Sequence, residues 1–450
     1  MNYTLLALAG YVALFVGYSF FSSRTETRED FLIAGRNQGF WPLVMSMNSS
    51  WINMGWMTFC LSLLLVDAAS YAWLFIGEVV GISILIYLVP KIRAYAKEKD
   101  IVSFADFTHK SIGSFSGYSA ASVNLILYIG WLTVELVASA HVLSSMFGLS
   151  YEMSLIALAL TVCAYLALGG FKVLIKTDVI QFVFVILLAV LFYMYVPIQP
   201  VSMETVEKVF TTETPVNWVI FFAGLPAILL GSEVWQRIFS AKSDKTAKRM
   251  LAWTFPIHFL IYLPFLLLPF LVAPLFLPEQ TEAIFSGVIK GYLPTYVAPF
   301  ALIFLLAMIT STLDTAGFVA AQSLTNDGIT RKYLEGHPRP RLLLRVGIFT
   351  VFAVAVGFGL FYQNVVDIMF FILDMWAVLS PLVVTILFGK KISDCACGST
   401  IVFLTVFMLT CKVFGLLPEA LTATAFLSGF VLPYIVDAIR NKVCSIKTAA

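Results

Sequence analysis

Between Ala307 and Asp327 the chain reads AMITSTLDTAGFVAAQSLTND, an apolar segment that carries Thr310, Ser311, Thr312, Asp314 and Thr315 within two helical turns. Ser311, Asp314 and Thr315 stand at i, i+3 and i+4 and therefore share one face of a helix. Hydroxyls grouped around a single carboxylate suit a hard cation such as Na⁺, which takes several oxygen ligands and one balancing charge. Ser and Thr can also back-bond to helix carbonyls or cement helix packing. Five polar groups, four hydroxyls and one acid, within two turns favour the ion site over that structural role.

The same segment type recurs with other acids inside it. Glu78, Glu135, Asp178, Glu233, Asp314 and Asp374 all fall within apolar stretches or their end turns. A carboxylate in hydrocarbon costs about 2.5 to 3.5 kcal/mol, so each needs a proton, a partner or a wet path. With every Lys and Arg assigned to a connection or a helix end, no buried basic partner is expected, and a cation takes that place. Asp178, next to Thr177, reads either as a cap at the start of a helix or as an ion-path group. Asp314 and the buried Glu residues could instead relay protons.

The elements that hold these groups are membrane helices. The 450 residues are 60% hydrophobic, 12% charged and 15% aromatic, with 40 Phe. Apolar runs of roughly 20 residues, each able at about 1.5 Å per residue to cross a hydrocarbon core of roughly 30 Å, repeat from end to end. They predict an all-α membrane protein of about thirteen spans: 3–21, 39–67, 70–92, 117–147, 151–169, 177–196, 216–236, 250–274, 295–325, 343–362, 365–388, 399–416 and 420–438. The first span is read as a retained helix, since it lacks a basic start and a small-residue cleavage site. A formal charge of +2 with no basic face excludes nucleic acid as a partner. The cysteines suggest no disulfide framework, and Cys395 and Cys397 read as ordinary loop residues.

Charge sets the orientation. With the N-terminus outside, all of the 28 Lys and Arg except Lys208, Lys290 and Lys412 fall in inner connections, and the C-terminus lies in the cytoplasm. Two spans are interrupted at matched places. The second holds MSMNSSWINMGWM, with Asn48, Ser49, Ser50, Asn53 and Gly55 at its centre, and the seventh holds WVIFFAGLPAILLGSEVWQ, broken at Gly224 and Pro226. Broken helices at corresponding positions of two inverted repeats are where solute and ion bind in membrane carriers. The expected partition is 1–38 for a peripheral helix and cytoplasmic loop, 39–196 for a first inverted repeat, 197–390 for a second, and 391–450 for two further helices and a short cytoplasmic tail.

Four stretches in order, DFLIAGRNQGFW (30–41), LGGFKVLIKTDVIQF (168–182), WQRIFSAKSDKTAKRM (235–250) and STLDTAGFVAAQSLTND (311–327), resemble the sodium:solute symporter family. The resemblance implies an inverted five-helix repeat core of the leucine-transporter type, with one extra N-terminal and two extra C-terminal helices. It implies alternating access and Na⁺ as coupling ion. The family's paired hydroxyl ligands fall on Ser311 and Thr312, and its carbonyl ligands on Ser49, Ile52 and Met308. Asp178 falls on an acidic position tied to ion coupling, and Asp314 three residues beyond Ser311 on one where some members bind a second ion. The solute cavity is expected to include Trp51, Asn53, Gly55, Trp56 and Trp131. The proline symporters carry an acid where Trp51 stands, so the resemblance does not extend to proline specificity there.

The resulting expectation is a secondary transporter of the bacterial plasma membrane, with the lipid bilayer, Na⁺ and a small polar, amino-acid-like solute as its partners. An H⁺-coupled symporter of the same fold and a transporter-like membrane sensor are the alternatives. No nucleophile with an adjacent base and no metal constellation among His109, His141, His258 and His337 points to an enzyme.

Overall fold

The computed structural model describes residues 2–24, 26–66, 68–196, 218–271, 283–328, 331, 340–383, 392–416 and 420–449. Lys208 and the ends of the expected spans 365–388 and 250–274 lie outside them. The order along the chain is α1 (Asn2–Ser23), α2 (Arg28–Ile33), α3 (Phe40–Trp51), α4 (Met54–Val66), α5 (Ala68–Glu98), α6 (Phe104–Ser111), α7 (Ser114–Phe147), α8 (Tyr151–Leu166) and α9 (Phe171–Tyr195). It continues with α10 (Phe221–Leu229), α11 (Ser232–Ser240), α12 (Asp244–Leu271), α13 (Ala283–Tyr292), α14 (Ala298–Leu324), α15 (Pro340–Phe361), α16 (Val365–Ala377), α17 (Asp394–Val413) and α18 (Leu421–Ala449).

Backbone polar groups in hydrocarbon must be satisfied within the segment, which leaves the helix as the spanning element for a chain of this composition. Among the described residues, ten helices are long and apolar enough to cross a membrane, and three shorter apolar ones lie within Ala9–Ser23, Met54–Leu64 and Tyr151–Leu166. Helix α14 is the most deeply enclosed of the ten, with 89% of its apolar window buried. It runs through the middle of the bundle against α3, α7, α8, α9 and α15. The segment with the densest hydroxyl chemistry is therefore also the one most shielded from lipid.

Small residues let backbones close up where the core demands it. Helices α5 and α10 cross so tightly that a Cβ on Gly77 would sit 2.4 Å from the Phe221 carbonyl, and one on Gly224 would sit 2.1 Å from the Leu74 carbonyl. Gly224 and Pro226 thus lie inside a continuous α10. The interruption of the seventh span falls later, at Leu230 and Gly231, where α10 ends and α11 begins. Pro226 stands at the sixth position of α10, past its first turn, so it removes one i→i−4 hydrogen bond there, a loss that membrane helices tolerate.

Two further expectations change. Asp178 does not open its helix: α9 starts at Phe171, and Thr177 back-bonds to the Val173 and Leu174 carbonyls at 3.2 and 2.8 Å. Cys395 and Cys397 are helical, in the first turns of α17. The N-terminus of α7 is held by that same helix, where the Asp394 carboxylate accepts from the amides of Phe115 (3.1 Å) and Ser116 (2.8 Å). A parallel bridge of Gln38 with Ala241 ties the residues just before α3 to those just after α11, with Gln38 N–H donating to the Ser240 carbonyl at 2.9 Å.

Candidate functional site

The second apolar span is broken as its polar centre implied. Helix α3 stops at Trp51, Ile52 leaves helical geometry (φ −84, ψ 89), and α4 begins at Met54. Such a break frees carbonyls on one side and N–H groups on the other, deep in the bundle. Three of these N–H groups are met by side chains: the Glu135 carboxylate accepts from Met54 at 3.1 Å and Gly55 at 2.7 Å, and Asn53 Oδ1 accepts from Trp56 at 2.8 Å. Glu135, one of the buried acids, is thus the cap of the second half-helix, where negative charge meets the positive end of the helix dipole.

The freed carbonyls face α14. Ser311 Oγ donates to the Ser49 carbonyl at 2.7 Å and to the Met308 carbonyl of its own helix at 3.0 Å, and Thr312 Oγ1 donates to the Ser50 carbonyl at 2.8 Å. Ser49, Met308 and Ser311 of the five expected ligand residues are thus joined by hydrogen bonds, Thr312 reaches the carbonyl of Ser50 beside them, and Ile52 is the residue at which the helix breaks. All five are buried. A hydroxyl can turn its hydrogen outward and present a lone pair, so these oxygens form a set that a hard cation can share.

The expectation that the buried acids lack basic partners is overturned. Arg237 on α11 is fully buried, and its Nη2 lies 3.1 Å from Asp178 Oδ2, itself fully buried. The guanidinium also donates to Ser46 Oγ (3.0 Å), Ser50 Oγ (2.7 Å) and Thr315 Oγ1 (3.3 Å), while Ser46 Oγ donates to Asp178 Oδ2 at 2.5 Å. One guanidinium fork links α3, α9, α11 and α14, a use for which its rigid array of donors suits it. Asp374 is likewise paired, with Lys412 at 2.5 Å, and it accepts from Thr422.

Asp314 turns toward α8, where Tyr165 donates to its Oδ2 at 2.9 Å, while Ser311, Thr312 and Thr315 meet the broken helix. Among the described residues its Oδ1 has no hydrogen-bond partner, nor does Asp178 Oδ1. Thr310 is occupied differently: it accepts from Gln181 Nε2 at 2.9 Å and shares a 2.5 Å hydrogen bond with Tyr11, which roots α1 in the core.

Beside the break lies a partly open cavity. Trp51, Asn53, Trp56 and Trp131 line it, as expected, whereas Gly55 does not: a Cβ there would meet Val134 and Glu135 at 3.1 to 3.3 Å. The wall also holds the rings of Tyr128, Phe255, His258 and Trp376, which were not expected there from the sequence. Glu78 and Glu233 face it too, and Tyr128 donates to the Glu233 carboxylate. Ser50, Thr312 and Thr315 belong both to the cavity wall and to the polar cluster behind it.

A helical membrane bundle with two broken helices, an oxygen-rich contact at one break and a cavity beside it defines a carrier of small solutes and ions. The sequence profile of the sodium:solute symporter family matches residues 31–394, and the chain belongs to that family. Its activity is accordingly Na⁺-coupled symport of a small solute; it is a transporter and not an enzyme. Sodium/proline symporter 2 of Staphylococcus saprophyticus is 24% identical over 429 residues, which cover 87% of this chain and 82% of that protein. The osmoregulated proline transporter OpuE of Bacillus subtilis is 23% identical over 377 residues, 76% of this chain and 74% of that one. Among solved structures, a Na⁺-coupled sialic acid symporter in a substrate-bound outward-open state superimposes with a TM-score of 0.77 at 16% identity, covering 96% of this chain and 98% of that chain. Mhp1, a nucleobase-cation-symport-1 family transporter, gives 0.61 at 12% identity over 92% of this chain and 95% of its own. These likenesses establish the fold.

Proposed function

We propose that Na⁺ binds where the break between α3 and α4 meets α14, with the Ser311 and Thr312 hydroxyls and the carbonyls of Ser49, Ile52 and Met308 as ligands, and that this ion drives uptake of an amino-acid-like solute held in the adjacent cavity. The observation that carries the reading is the contact of Ser311 Oγ with the Ser49 carbonyl at 2.7 Å and of Thr312 Oγ1 with the Ser50 carbonyl at 2.8 Å, across 262 residues of sequence in each case. Ion and solute share a wall, since Thr312 contacts the break and lines the cavity. Binding of either then stabilises the same arrangement of α3, α4 and α14, which is what coupling requires. Inward Na⁺ flux supplies about 2.3 kcal/mol per charge per 100 mV.

The thirteen-span count, the two five-helix repeats of opposite orientation, and an outside N-terminus with a cytoplasmic C-terminus complete the proposal. The matched breaks at Ile52 and Leu230 support the repeats, and the distribution of Lys and Arg supports the orientation in a bacterial plasma membrane. The relatives named for proline support an amino-acid-like solute. A proton in place of Na⁺, or a second cation, is favoured by one specific observation: Asp314 and Asp178 are fully buried, and each leaves one carboxylate oxygen without a hydrogen bond to the described residues. Uptake of labelled proline and other amino acids into proteoliposomes separates these readings. Accumulation is expected under an imposed Na⁺ gradient at constant pH. Accumulation that follows a pH gradient and ignores Na⁺ would assign the coupling to protons.

A further inference from the structure

Six aromatic rings wall the cavity, contributed by five different helices. Trp56 lies 6.0 Å from Trp131, centroid to centroid, and Trp131 lies 5.5 Å from Trp376, so α4, α7 and α16 present a continuous run of indoles. Trp51 meets Phe255 edge-on at 6.2 Å, and Tyr128 completes the set. The titratable side chains facing the space are Glu78, Glu233, Tyr128 and His258, and none of the lining residues is Lys or Arg. Ring faces and carboxylates without a cation select a positively charged ligand group.

The hydrogen-bonding inventory narrows the kind of positive group. Ser50 and Thr315 bond to each other and to Arg237, Thr312 donates to the Ser50 carbonyl, Asn53 is spent on the break, and Glu233 receives Tyr128. Among these lining hydroxyl, amide and carboxyl side chains, Glu78 alone makes no hydrogen bond with the described residues. It stands at a junction, since it also borders a second, smaller cavity together with Trp56 and His258. A primary ammonium brings three donors and asks for as many acceptors. An ammonium whose hydrogens are replaced by alkyl groups asks for few, and gains its binding from ring faces and one counter-charge.

We propose that the solute carries a quaternary ammonium group, with all its hydrogens replaced by alkyl groups, seated against Trp56, Trp131 and Trp376 with the Glu78 carboxylate as its counter-charge. This rests on the symport reading above and names the chemistry of its solute. Such a group occurs both in hydroxyl-bearing cations and in carboxylate-bearing zwitterions, so the test includes each.

The purified full-length protein in nanodiscs is titrated with choline, glycine betaine, glycine, and 3,3-dimethyl-1-butanol, the uncharged isostere of choline, with and without Na⁺, following tryptophan fluorescence. At least one of choline and glycine betaine is expected to bind at tenfold or more lower concentration than glycine and the isostere. A choline response assigns the cation and a glycine betaine response the zwitterion. Glu78→Gln and Trp131→Leu are each expected to raise the apparent Kd tenfold or more, with Glu78→Asp recovering part of the loss and reporting that the protein folds. Equal binding of choline and its isostere, or a response only to sugars or anionic acids in a wider panel, overturns the proposal. If Na⁺ still drives uptake of such another solute, the symport reading survives that failure. If choline or glycine betaine binds as described but without regard to Na⁺, the ammonium assignment stands and the coupling reading falls.

Discussion

Arg237 and Asp178 form an ion pair at 3.1 Å with both side chains fully buried, joining α11 to α9 next to the two broken helices. Removing one member of such a pair leaves an uncompensated charge, at a cost of about 3 to 5 kcal/mol, whereas replacing both by apolar groups is often neutral. Arg237→Met and Asp178→Leu are each expected to lower the thermal midpoint sharply in detergent, and the double variant is expected to regain much of the loss. Additive losses in the double variant would show that the two charges act independently. Because the guanidinium also holds Ser46, Ser50 and Thr315, Arg237→Lys should fail to restore the wild-type midpoint.

The break itself depends on Glu135. Its carboxylate answers two N–H groups of α4 that have no other acceptor, and an unmet buried donor costs about 1 to 3 kcal/mol. Glu135→Ala is expected to destabilise the protein by that order and to weaken apparent Na⁺ and solute affinity together. Glu135→Gln, which keeps one acceptor oxygen, should lie between Ala and wild type. Unchanged transport kinetics in Glu135→Ala would show that the break holds its shape without the cap.

Helices α5 and α10 offer a control remote from the ion ligands. A Cβ on Gly224 would overlap backbone of α5, and overpacking costs about 1 to 3 kcal/mol or more. Gly224→Val is expected to reduce the yield of folded protein and its thermal midpoint. The Na⁺ concentration dependence of whatever folds should remain that of wild type.

At the end of α14, beyond the membrane span, burial pushes the Asp327 carboxyl up to about 7, and repulsion from Asp106 adds to it, while Arg331 and Lys110 act in the opposite sense. A carboxyl whose folded-state value lies above its unfolded value of about 3.9 destabilises the fold as pH rises between the two. The thermal midpoint of the wild type should carry a downward contribution from about pH 4 to about pH 7 that Asp327→Asn removes. Identical pH profiles for the two proteins would contradict this.

Much of this was legible in the sequence, because its signals are local. Apolar run length gave the all-helical membrane architecture, and the polar centre of MSMNSSWINMGWM gave the break, since both depend only on neighbours in sequence. The proposed ligand residues came from motif resemblance, and the structure sets Ser311 against the Ser49 carbonyl. The burial of Arg237 was not legible. It stands in WQRIFSAKSDKTAKRM among four other basic residues of a connection, and nothing local distinguishes the one that turns inward to meet an acid 59 residues back. His258, Phe255 and Trp376 escaped for a related reason: within an apolar span an aromatic that faces a cavity has the same neighbours as one that faces a helix. The later break at Gly231 was misplaced because Gly224 and Pro226 are the stronger local signals, while the close approach of α5 is what requires Gly224.

The central claim is that Na⁺ is held between the break and α14. The most direct test is the Na⁺ concentration dependence of solute uptake in proteoliposomes for wild type, Ser311→Ala and Thr312→Ala, with Ser62→Ala as a hydroxyl control on α4. Loss of either ligand hydroxyl is expected to raise the Na⁺ concentration for half-maximal uptake tenfold or more while the control follows wild type. An unaltered Na⁺ dependence in both Ser311→Ala and Thr312→Ala would place the coupling ion elsewhere.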